Sequence, residues 1–87
     1  MIEQAKRELK NEITAEHSEE YYYKLIAERT KKLHQFKLSG DLVFGENDEL
    51  FREEVIKTTL KKNESLPESE QMYELVMTEI ALDVFMG

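Results

Sequence analysis

The chain has 87 residues, a mass of 10.3 kDa and a formal net charge of -7, with 36% charged residues, three glycines, one proline and no cysteine. That is enough for one small domain, and the missing cysteines exclude a disulfide framework and a thiolate metal site, so helix packing or oligomerisation must supply the stability instead. No apolar run approaches the roughly 18 residues of a membrane span, and MIEQAKRELK is too charged for the apolar region of a signal peptide, so a cytoplasmic location is expected.

So few glycines and prolines suit helices better than sheets, which need turn residues at frequent intervals. The mean hydropathy of -0.62 alone would also fit disorder, but the apolar residues recur with a helical period. The spacing predicts an all-α bundle of about four helices, over residues 2–15, 18–38, 48–62 and 66–86, in a single domain spanning 1–87.

No Gly or Pro precedes Gly40, so residues 2–38 read as one long helix or as two. At about 100° per residue, Ile2, Ala5, Leu9 and Ile13 form one stripe, and Tyr22, Leu25, Ile26, Leu33 and Phe36 form another on nearly the opposite side. A break between Thr14 and Ser18 turns both toward one core, with Ser18 as N-cap and Glu19 and Glu20 in the first turn. An unbroken helix would need different neighbours for its two faces, as in a dimer. Tyr21 and Tyr23 flank the core residue Tyr22, so at least one of them is expected to face solvent.

Residues 38–48 hold two of the glycines and form the principal loop, with Leu42, Val43 and Phe44 as an apolar plug beneath it. Asn47 or Asp48 caps the third helix, which carries Glu49 at its start and Lys61 and Lys62 at its end, as the helix dipole favours. Its buried face is Phe51, Val55, Ile56, Thr59 and Leu60. SLPE, residues 65–68, reads as a capping box, with Ser65 as cap and Glu68 at the third helical position.

The last helix has more apolar surface than simple docking requires. Tyr73, Val76, Met77, Ile80, Ala81 and Val84 make a wide arc, and Leu75, Leu82 and Met86 make a second stripe, with Glu79 and Asp83 between the two. Either this helix lies centrally and both stripes are core, or the second stripe meets a partner. On the latter reading the partner-binding residues are Leu75, Glu79, Leu82, Asp83 and Met86. Arg29 falls in the middle of its helix's apolar stripe. It is a candidate for a buried ion pair, with Glu79 or Asp83 as its carboxylate, unless it extends outward to water.

Charge is divided along the chain. Residues 1–40 carry eight Lys/Arg against seven Glu, and residues 41–87 carry four Lys/Arg against twelve Asp/Glu. The C-terminal half is therefore not expected to bind nucleic acid, although its carboxylates could imitate a phosphate backbone. RTKKLHQFK, residues 29–37, is a basic patch that could meet an acidic partner or another copy.

Catalytic chemistry has few candidates. His17 falls in the proposed break, and His34 lies opposite its apolar stripe with Lys31 and Thr30 at the preceding helical positions. Glu12 with Glu16, and Glu70 with Glu74, have a spacing that could hold a cation, but chance supplies such pairs in so acidic a chain. An EF-hand starting at Asp41 fails, because Val43 and Gly45 stand where oxygen ligands are needed and Arg52 stands in place of the bidentate glutamate. No phosphate-binding loop, dinucleotide fingerprint or nucleophile elbow is present.

The sequence thus leads to no catalytic, cofactor or metal site. It suggests a small acidic protein that acts by protein contact, as an inhibitor or adaptor of a larger protein, with nucleic-acid-binding proteins among the candidates. Its sharper form is a nucleic-acid mimic of the kind found among mobile-element accessory proteins. The alternative is a structural subunit, a homodimer or larger helical homo-oligomer built on the C-terminal helix.

Overall fold

The computed structural model describes residues 2–39 and 48–87. They form four helices: α1 (Ile2–Glu16), α2 (Glu19–Ser39), α3 (Asp48–Lys62) and α4 (Glu68–Met86), with no strand among the described residues. The apolar triplet Leu42 to Phe44, the glycines beside it and the candidate cap Asn47 lie outside the described residues.

Residues 2–39 are two helices, and the break falls at His17 and Ser18. Ser18 Oγ accepts a hydrogen bond from the Tyr21 backbone N–H at 3.0 Å, which satisfies one of the N–H groups a helix start leaves unpaired. The reversal puts Ile13, Tyr22 and Ile26 in one cluster with Val76, Met77 and Ile80 of α4, flanked by Ala5, Leu9 and Leu25. Tyr21 and Tyr23 are both exposed.

The start of α4 corrects the capping-box expectation. The helix begins at Glu68, Pro67 holds the cap position with φ -54° and ψ 150°, and no side chain caps it. The residue before a proline is driven out of the helical region, so Leu66 and Pro67 stay outside the helix and Ser65 sits too far upstream to reach its first N–H groups. Gln71 secures the approach instead, its side-chain amide donating to the carbonyls of Glu64 at 3.1 Å and Leu66 at 2.8 Å.

α4 is the hub of the bundle. It packs on α1, α2 and α3, and α1 also packs on α2, while α2 and α3 meet at one end, around Phe36 and Phe51. The middle of α4, through Val76, Met77 and Ile80, completes the cluster around Ile13. Its second half supplies Ala81 and Leu82 to another, with Leu33, Phe51 and Val55, against which Phe36, Ile56, Phe85 and Met86 pack. Phe51, Met77, Ala81 and Leu82 are wholly buried. The large side chains among them, Phe51, Met77 and Leu82, each contribute about 1.5–3 kcal/mol through removal from water.

This arrangement corrects the wheel at the margins. Val84 and Tyr73, expected in the wide apolar arc, are 58% and 36% exposed. The docking of α3 shifts the buried face of α4 toward Leu82, Phe85 and Met86. Leu60, expected inside, is 47% exposed, because α3 meets the bundle through the narrower face of Phe51 and Val55. None of the described helices is long and apolar enough to cross a membrane.

Candidate interaction surfaces

The residues picked out on the last helix for a partner are mostly engaged within the chain. Leu82 is at zero exposure in the core, Met86 packs against the same cluster and Leu75 is half-buried. Leu82 and Met86 are therefore taken up by the cluster that α3 completes, and Leu82 is not presented to another protein.

Glu79 and Asp83 are also engaged. The Arg52 guanidinium of α3 donates to Glu79 Oε2 and lies 3.7 Å from Asp83 Oδ1, while Lys6 Nζ of α1 donates to Asp83 Oδ2 at 2.5 Å and to Glu3 Oε1 at 3.1 Å. One chain of charges, from Glu3 through Lys6, Asp83 and Arg52 to Glu79, thus ties α1 and α3 to the acidic edge of α4. Burial by itself would lower the pKa of Lys6, but its bonds to Asp83 and Glu3 outweigh that and hold it above the ordinary lysine value.

Arg29 does form an ion pair with α4, but its partner is Glu74, at 2.9 Å, with both side chains about a quarter to a third exposed. Glu79 and Asp83 lie further along α4 and are claimed by Arg52 and Lys6. The sequence reading missed Lys6 altogether. The signal was its place beside Ala5 and Leu9 on α1, together with an α4 that carries carboxylates and no cation of its own.

Two more cations turn inward. Lys10 Nζ lies 5.6 Å from the ring centres of both Tyr22 and Tyr23, and Lys37 Nζ lies 5.7 Å from those of Phe51 and Phe85. Burial raises the pKa of Tyr22, against the opposing pull of Lys10. Lys6, Lys10, Arg29, Lys37 and Arg52 are all buried or half-buried, whereas every described carboxylate except Glu54, Glu74 and Glu79 is exposed. On α1, Glu8, Glu12 and Glu16 stand exposed at four-residue intervals, followed across the turn by Glu19 and Glu20.

A cleft runs between α2 and α3. The two helices come together where Phe36 and Phe51 have ring centres 6.0 Å apart and Lys37 reaches Asp48 at 3.9 Å, then leave a space of about 470 Å³ extending toward Leu25 and Lys62. Leu33, Phe36, Val55 and Ala81 give it an apolar floor, with Lys32 on one rim and Lys62 on the other. Among the described residues no three His, Asp or Glu side chains converge in a metal-binding group, and every buried side-chain polar atom has a hydrogen-bond partner. Neither a family model, a curated protein nor a solved structure shows significant similarity to the chain.

Proposed function

We propose that this is a non-enzymatic binding protein, an inhibitor or adaptor that engages a basic face of a larger protein through exposed carboxylates. The supporting observation is the inward use of cations: with Lys6, Lys10, Arg29, Lys37 and Arg52 spent on internal partners, the outer surface is dominated by acid. The contact surface in this reading is the outer side of α1 and the start of α2, not the C-terminal helix. Glu8, Glu12 and Glu16 repeat about every 6 Å along the helix axis, at 1.5 Å per residue. A regular row of like charges is what a phosphate-binding surface recognises, and this supports the nucleic-acid-mimic form of the proposal. Such complementarity governs association rate and partner choice more than final affinity.

The test is affinity capture from cell extract on the intact chain and, in parallel, on an E8K/E12K/E16K variant checked for helicity. A basic nucleic-acid-binding protein should be retained by the natural chain, lost on the variant, and displaced by added duplex DNA or by salt. Identical sets of retained proteins on the two columns would rule the proposal out. Leu82, which a homo-oligomer built on the last helix was expected to use, is covered within one chain.

A further inference from the structure

The cleft between α2 and α3 has the opposite electrostatic character from the rest of the surface. Lys32 stands on its α2 wall and Lys62 on its α3 wall, and a shallow depression beside it on α3 is edged by Lys57, Lys61 and Lys62 against one carboxylate, Glu54. Only Glu28 and Glu74 supply acid to its lining, and Glu74 is already paired with Arg29. In a chain of net charge -7 this is a local excess of positive charge above an apolar floor.

We infer that the cleft docks an amphipathic, acidic helix of another protein. Its apolar side chains would lie over Leu25 and Phe36, the half-buried apolar residues of the lining, with Leu33, Val55 and Ala81 buried beneath them, and its flanking carboxylates would meet Lys32 and Lys62. Charge complementarity selects the occupant. The Thr59 hydroxyl and the Asn63 amide of the wall offer little competing demand, because Thr59 Oγ1 donates to the Val55 carbonyl at 2.8 Å and Asn63 Nδ2 donates to the Thr59 carbonyl at 2.9 Å.

Shape points the same way. The cleft is a trough open along one side, flanked by two helices and floored by a third, the setting in which a helix lays its apolar stripe. A small ligand would remain largely exposed there, whereas ligand sites typically bury about 70–90% of their occupant. A second copy of this chain, also at net -7, would be repelled at long range. This docking site is separate from the carboxylate surface proposed above and would stand if that proposal failed.

A library of displayed helical peptides, selected against the immobilised full-length chain, tests it. Enriched peptides should carry apolar residues at helical spacing flanked by Asp or Glu, and in fluorescence anisotropy they should bind the natural chain, the K32R/K62R variant and the E8K/E12K/E16K variant equally well. K32E/K62E should weaken them by about tenfold or more, as expected for reversing two partly desolvated contacts. Amide shifts on peptide addition should concentrate at Leu33, Thr58, Thr59 and Lys62. The inference is overturned if no peptide is enriched over the bare support, if the enriched peptides are basic, if K32E/K62E binds them undiminished, or if the shifts map elsewhere.

Discussion

Leu82 offers a direct test of α4 as the hub, because Val84, two residues further along the same helix, serves as its control. Leu82 has no exposed surface and shares a cluster with Leu33 of α2 and Phe51 and Val55 of α3, whereas Val84 is 58% exposed. Truncating Leu82 to alanine removes buried methyl groups and leaves a cavity between three helices, a change that costs about 3 kcal/mol within the usual range of roughly 2–5. At about 0.05–0.15 kcal/mol per residue, an 87-residue domain has roughly 4–13 kcal/mol in total. L82A should therefore still fold, with a Tm lowered by about 15 °C at roughly 5 °C per kcal/mol. V84A should lie within about 0.5 kcal/mol of the natural chain. Urea denaturation followed by far-UV circular dichroism measures both, and an unchanged slope would show that the same surface is exposed on unfolding. A loss below about 1 kcal/mol for L82A, or equal losses for the two variants, would refute the central placement of α4.

The two serines that sequence reading treated alike should separate: S18A should lose about 1 kcal/mol with the cap of α2, while S65A, which caps nothing, should be near neutral in the same denaturation experiment. A double-mutant cycle on K6M and D83N should return a coupling of about 1 kcal/mol, kept modest because Asp83 is half-exposed and retains Arg52; a coupling of zero would mean that Lys6 contributes only its aliphatic stem. Lys6 and Tyr22 both hold their protons more tightly folded than unfolded, so their stabilisation is complete below the unfolded values near pH 10 and is lost as pH rises through the folded ones. The Tm should therefore fall from pH 9.5 upward, by less in a K6M/Y22F variant; equal slopes in the two proteins would remove these groups as the cause.

The helices were legible because their signals are local. The opposed stripes of residues 2–38, the cap at Ser18, and the charge order of α3, with Asp48 and Glu49 first and Lys61 and Lys62 last, each depend on a few neighbouring residues, and the structure has the helices they imply. SLPE misled because proline affects the residue before it as strongly as its own position, and the motif alone does not show which effect prevails.

The surface was harder to read. Whether the stripe of Leu75, Leu82 and Met86 faces outward depends on where α3 docks, a tertiary fact that the periodicity of α4 does not contain. In the same way the sequence showed Arg29 on a buried face but not its carboxylate, since choosing among Glu74, Glu79 and Asp83 requires the vertical offset of two helices. The cleft takes residues from three helices far apart in the chain, so no single segment could announce it beyond the basic run of residues 29–37.

The hub helix is also the one that follows the other three along the chain. A polypeptide emerging from the ribosome would display Ile13, Tyr22, Ile26, Phe51 and Val55 before the residues that cover them exist. The α1–α2 hairpin can form at that stage, but with half a core it has little to hold it closed. Maturation would then be a single late event, in which residues 68–86 arrive and draw three waiting segments around them. Until then those segments are exposed to chaperones and proteases.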